Sequence, residues 1–199
     1  MIILGSSGWR RPRHALAVLT VGLGMAVTQR AAAQGTIKSP GDHPDYVFEA
    51  EPHLAASYGA GFGPGFRGTI AILDKAFIPK LNNSVGIGVG AEWLFYSRHC
   101  AGPANARVCD SVGEVMVPVV LQWNFWVSRQ FSVFGEPGIA LHFYRGYHAD
   151  HGDFALDPFT IFGGVRIHFS PAVALTLRLG APELFHYDSV ISIGVSFLI

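Results

Sequence analysis

The chain has 199 residues, half of them hydrophobic and only 14% charged. So much apolar content excludes disorder, and so few charges cannot cover an ordinary soluble surface, which carries about 25–35%. Lys plus Arg equal Asp plus Glu at 14 each. Four of the basic residues (Arg10, Arg11, Arg13, Arg30) precede position 34 and no acid does. The rest of the chain is therefore net acidic and offers no basic patch to nucleic acid.

Residues 1–33 read as a signal peptide. Arg10, Arg11 and Arg13 form a positive start, Ala15–Val27 an apolar stretch, and Ala31-Ala32-Ala33 a small-residue cleavage site before Gln34. The apolar stretch is shorter than the roughly 20 residues a membrane helix needs. A polar segment with Pro and Gly, residues 34–46, is expected to be a flexible N-terminal arm.

From Val47 onward the pattern has period two. In Val47–Tyr58, Phe48, Ala50, Pro52, Leu54 and Ala56 share one face, and Glu49, Glu51, His53 and Ser57 the other. Gly65–Leu73 sets Phe66, Ile70 and Ile72 against Arg67 and Thr69. Ser84–Tyr96 sets Val85, Ile87, Val89, Trp93 and Phe95 against Gly86, Gly88, Gly90 and Glu92. Val112–Trp126 sets Val115, Val117, Val119, Leu121 and Trp123 against Glu114, Met116, Gln122 and Asn124. Gln130–Tyr144 sets Phe131, Val133, Ile139 and Leu141 against Ser132, Glu136 and His142. Pro158–Phe169, Ala172–Ala181 and Ser189–Ile199 continue the pattern, with Arg166, His168, Thr176 and Arg178 on their polar faces. Eight strands of roughly 9 to 14 residues are long enough to cross a bilayer at a tilt. Short connections (Val127–Arg129, Ser170–Pro171) alternate with longer ones (Ser97–Ser111, Arg145–Asp157, Pro182–Asp188), the pattern of a membrane barrel with short turns at one end and loops at the other. The long Asp74–Asn83 and the short Gly59–Pro64 break it.

Alternation does not choose the solvent, because a soluble barrel alternates too. The polar residues choose it. Lys38, Lys75 and Lys80 are the only lysines, and all fall outside the strands. The polar faces are mostly Gly, Ser and Thr with isolated Arg and Glu, which suits a narrow interior. The opposite faces carry bulky aliphatics, with aromatics near strand ends that suit interfacial girdles. A soluble secreted barrel binding an apolar ligand stays open as the alternative.

The strand count and the last strand, Ile191-Ser192-Ile193-Gly194-Val195-Ser196-Phe197-Leu198-Ile199, make the region from Val47 to Ile199 similar to the small outer-membrane barrel superfamily of the OmpA/OmpX/OmpW type. The family's last strand usually ends in an aromatic; here Ile199 is last and Phe197 stands two before it. The resemblance implies an all-β, eight-stranded antiparallel up-and-down transmembrane barrel spanning residues 47–199. It implies a bacterial outer-membrane location, a lipid environment, recognition of the last strand by the barrel-assembly machinery, and a monomer. It implies no activity, since a fold does not carry one.

Several clusters are candidate sites. Cys100 and Cys109 are the only cysteines; in an exported chain an even count at short spacing reads as a disulfide, worth roughly 2.5–3 kcal/mol for such a loop. Tyr147–Asp153 holds two histidines and two aspartates, which could suit a divalent cation or a hydrated loop; the spacing matches no specific motif, and no cofactor or resident metal is expected. His168-Phe169-Ser170 with Glu183 has the ingredients of a hydrolase triad and resembles the His-x-Ser motif of barrel-type lipid A deacylases. Pro171 stands where that family has Asn, and the length of a strand separates Ser170 from Glu183, so no catalysis is expected. Finally, Glu51, Arg67, Glu92, Glu136, Arg166 and Arg178 all fall on polar faces. Counted along their strands, Arg67, Glu92, Glu136 and Arg178 come to nearly one height, with Glu51 and Arg166 a few residues lower. An eight-stranded barrel is just wide enough for side chains to fill it, so these charges are expected to pair and plug the lumen. A water-filled channel past the glycines is the competing reading.

Overall fold

The computed structural model describes residues 37–57, 61–96, 99–101, 108–110, 113–145, 154–183 and 188–199, with backbone alone for 99–101, 108–110, Glu183 and Asp188. The expected signal peptide lies outside the described residues. Ten strands follow in order: β1 (Phe48–Ser57), β2 (Phe62–Leu73), β3 (Asn83–Phe95), β4 (His99–Ala101), β5 (Val108–Asp110), β6 (Gly113–Trp126), β7 (Phe131–Arg145), β8 (Phe154–Ser170), β9 (Val173–Glu183) and β10 (Asp188–Leu198). Eight of them close a barrel in the order β1-β10-β9-β8-β7-β6-β3-β2, every pair antiparallel. Each barrel strand pairs with its neighbours in the chain, and β1 pairs with β10 to close it. No barrel edge is left unpaired, so the regular ladders satisfy their backbone polar groups within the sheet.

The faces separate cleanly. Ile70, Leu179 and Ile191 point outward at 55%, 60% and 57% exposure, with Val89, Ile193 and Phe66 in the same belt. Glu49, Glu51, His53, Arg67, Glu92, Gln122, Asn124, Glu136, Arg166 and Arg178 are buried inside. This inverts a soluble barrel: apolar side chains are outside and charges within.

Most strand ends move by one or two residues from the sequence pattern, and three differences are larger. β2 starts at Phe62 rather than Gly65, because Gly63 and Pro64 keep their ladder with Leu54 and Ala55. β8 starts at Phe154, ahead of Pro158, where the sequence pattern begins. The register shifts between the pairs Gly138–Thr160 and Ala140–Asp157, so β8 carries one extra residue there. A bulge absorbs the proline that a regular ladder would reject. Within the connection read as a plain loop, β4 and β5 pair as a short ribbon.

The rim at which β1 begins and β10 ends (the terminal rim) is covered by the arm. Asn82 donates its backbone N–H to Ile37 and its side-chain amide to the Asp42 carbonyl. His43 bonds the Asp74 carbonyl through Nε2 at 2.9 Å and stacks on Trp126. Residues 37–47 are thus docked rather than free, because their polar groups find partners in the β2–β3 connection.

Two inter-strand glycines separate packing need from open space. A Cβ on Gly138 would lie 2.2 Å from the Val119 carbonyl oxygen, whereas one on Gly135 would meet nothing within 4 Å. Gly138→Ala must push the β6 and β7 backbones apart and is expected to cost about 1–3 kcal/mol. Gly135→Ala should stay within about 0.5 kcal/mol of wild type. Urea unfolding midpoints of the two variants check this; equal midpoints would show that the close approach is not structural.

Candidate functional site: the charged lumen

The interior is built from the inward half of every barrel strand. At its centre is Arg178 of β9. Its Nη1 and Nη2 donate to the two carboxylate oxygens of Glu51 at 2.6 and 2.9 Å, and its Nε donates to Glu136 at 3.0 Å. The planar guanidinium fork suits this two-sided grip. Arg67 of β2 completes the set, donating to Glu136 at 3.0 Å and to Glu92 at 3.3 Å. The sequence therefore reaches one continuous chain, Glu51–Arg178–Glu136–Arg67–Glu92, drawn from β1, β9, β7, β2 and β3.

Room for it comes from small neighbours. A Cβ on Gly90 would lie 2.5 Å from Arg67 Nε, and one on Gly65 2.2 Å from His53 Nε2. Aromatic faces cover the cations: Arg67 lies 5.4 Å from the Phe162 ring centre, and Arg166 and Arg178 lie 4.1 and 5.3 Å from that of Phe134. Such stacking adds attraction that strengthens where water is excluded. Ser196 donates to Glu51 at 3.2 Å and shares a 2.6 Å hydrogen bond with Thr176.

Arg166 does not join this chain. It lies nearer the terminal rim, where it forms a 2.8 Å ion pair with Glu49 and donates to Asn124 at 2.7 Å. Gln122 donates to the other Glu49 oxygen at 3.2 Å. Tyr46 of the arm enters the same layer and accepts a hydrogen bond from Asn124 at 3.4 Å. Burial, with Glu49 nearby, pushes the Tyr46 phenol up to about 12, so it stays neutral among these groups. Glu51, placed lower by counting, sits level with Arg67 as its register partner; the tilt of the strands accounts for the difference.

Glu49, His53, Glu114 and His142 were not singled out as interior partners. His53 stands 3.6 Å from both Glu51 and Glu92. Towards the far rim, His142 contacts Glu114 at 2.5 Å through Nδ1 and Asp157 at 3.1 Å through Nε2, and Tyr96 donates to Glu114. The signal for all four was present: they alternate with Glu51, Glu136 and Met116 on faces already read as polar. What was missing was height around the closed barrel, which no single strand reveals.

The other candidates fall apart or out of view. Ser170 pairs with Val173 at one end of β9, and Glu183 lies at the other end, about 33 Å away at 3.3 Å per residue. These residues do not meet as a triad. The His/Asp segment 147–153 lies outside the described residues. Cys100 and Cys109 are direct register partners in the β4–β5 ribbon.

No protein-family model and no curated protein matches the sequence. Among solved structures the chain is similar to the N-terminal β-barrel domain of Pseudomonas aeruginosa OprF, at 12% identity over 76% of this chain and 96% of that one, TM-score 0.47. It is similar to Neisserial surface protein A at 13% identity over 76% and 94%, TM-score 0.47. It is also similar to the outer membrane enzyme PagL, at 12% over 76% and 99%, TM-score 0.45.

Arg178→Met strands Glu51 and Glu136 as buried, under-compensated charges. The expected loss is about 3–5 kcal/mol, against about 0.5 kcal/mol or less for Arg129→Met at the exposed terminal rim. Equilibrium unfolding of both variants in the same detergent gives the comparison. Equal midpoints would remove the network as a structural element.

Proposed function

We propose that this chain is a bacterial outer-membrane barrel that serves as a rigid, non-conducting, non-catalytic scaffold for the connections at its far rim. The observation that carries the reading is the inversion of polarity. A closed belt of exposed Ile, Leu, Val and Phe surrounds an interior of paired charges. Burying that belt in hydrocarbon is favourable by roughly 25 cal/mol per Å² of apolar surface, and closure leaves no barrel edge to desolvate. Charges in a bilayer-spanning element belong inside the bundle and in pairs, which is the arrangement here. The terminal rim, with its tight turns and docked arm, faces the periplasm in this reading. β10, ending beside β1, is the strand offered to the assembly machinery, and the barrel works as a monomer in lipid.

The same reading gives the lumen no solute path. The Arg67–Glu136–Arg178–Glu51 crossing occupies the width available to eight strands. Cell fractionation should place the protein with the outer membrane, extracted only by detergent, with a gel mobility that changes on boiling. In planar bilayers the purified barrel should give no stable single-channel steps. Recovery from the soluble periplasmic fraction would overturn the membrane reading, and reproducible unitary steps would overturn the plug.

A second element of the proposal is a Cys100–Cys109 disulfide. Directly opposed residues of an antiparallel pair have Cα atoms about 4.5–5.5 Å apart, inside the range of about 4.4–6.8 Å a disulfide spans, and the register makes these two residues such a pair. Alkylation of freshly isolated membranes without reductant should label neither cysteine, and reduction should expose both. Labelling of both before reduction would refute the bridge.

A further inference from the structure

A cavity of about 400 Å³ opens at the terminal rim, between the docked arm and the two tight turns. Asp42 and His43 wall one side, Arg129 and Gln130 another, and the corner from His168 to Pro171 closes the third. The Arg129 side chain is 82% exposed and stands 3.6 Å from Asp42. Ser170 accepts the Ala172 N–H at 3.3 Å, which leaves its own O–H to donate. His168 is buried, and its Nε2 shares a 2.9 Å hydrogen bond with Ser132. Its other ring nitrogen, Nδ1, is buried with no hydrogen-bond partner. Trp126 packs on the same ring at 4.7 Å between centres, so the imidazole is held in place.

A buried polar nitrogen without a partner is costly and rare in folded proteins. His168 is also a wall of the cavity. The Ser170 hydroxyl and the Arg129 guanidinium are donors at the same cavity. Two donors, one of them cationic, around one space select an acceptor-rich anion. The position narrows the choice. Phe169, 70% exposed, is at once a cavity wall and the last outward aromatic of β8. The cavity therefore sits where the apolar belt meets water, the level of lipid headgroups once the barrel is in a bilayer.

We propose that this cavity binds a phosphate group, with Arg129 as the principal contact, Ser170 as a donor beside it and His168 in the cavity wall. The placement at headgroup level rests on the membrane reading above and makes a phospholipid of the terminal-rim leaflet its source; a free phosphate has the same chemistry. Asp42 opposes the anion and competes for Arg129, which gives the site a built-in control.

The test uses the full chain, folded in a maltoside detergent that carries no phosphate, with ¹⁵N-labelled histidine and arginine. Dihexanoylphosphatidylglycerol and inorganic phosphate are titrated separately while the His168 ring and Arg129 Nε resonances are followed. The expected result is a saturable shift of both. Arg129→Gln should weaken binding about tenfold or more, as loss of a charged hydrogen bond does. Asp42→Asn should tighten it, by about two- to fivefold for removal of an exposed opposing charge. Saturation by the phospholipid alone supports the site and assigns it to headgroups; saturation by inorganic phosphate as well supports it and assigns it to free phosphate. The heat-modifiable gel band of the same samples reports barrel folding separately. A folded barrel in which neither probe moves His168, or in which Arg129→Gln titrates like wild type, overturns the site while leaving the membrane reading standing.

Discussion

The grip of Arg178 on Glu51 and Glu136 is the constraint around which the interior is arranged. Eight strands fix a narrow diameter, and charges of both signs within it have to meet. Buried ion pairs seldom add net stability over an apolar core, but a broken one is expensive. The network's role is therefore one of selection. A one-residue slip of any strand would turn its inward side chains to the outer face. A slip of β1 would put Glu49, Glu51 and His53 into the belt, and a slip of β9 would strand two carboxylates at once. The apolar belt accepts only one register, and the charges accept only the same one.

Most of the fold was legible because both solvents leave a period-two trace. Bulky aliphatics outside and small or paired polar groups inside mark all eight barrel strands, down to single residues such as Arg67 between Phe66 and Gly68. The trace fails where another rule acts. Pro158 reads as a strand start, yet a bulge lets β8 run through it. The β4–β5 ribbon is two sets of three residues, too short for any period. The arm looked free because its Pro and Gly content says nothing of the partners Asn82 and Trp126 that wait for it.

The charged interior was legible by face and not by partner. Glu51 and Arg67 are neighbours in register, yet Arg67 donates to Glu136 and Glu92 while Glu51 is taken by Arg178, 127 residues away in the chain. Which charge meets which depends on the stagger around the closed sheet, and stagger is a property of all eight strands together. Arg166 shows the same limit. It shares a polarity with Arg178 but stands at Glu49's height, so its partner, though on a polar face, follows only from the closed sheet.

Height also divides the interior into layers that are held by different forces. Near the far rim, Tyr96, Glu114, His142 and Asp157 form one polar group. Met116, Val120, Ala140 and Phe162 form an apolar cluster against the arginine–glutamate chain, with Met116 opposite Glu92 and Phe162 opposite Glu136 in register. An ion placed within that cluster would have no partner. At the opposite end the arm's Tyr46 caps the Glu49–Arg166 layer.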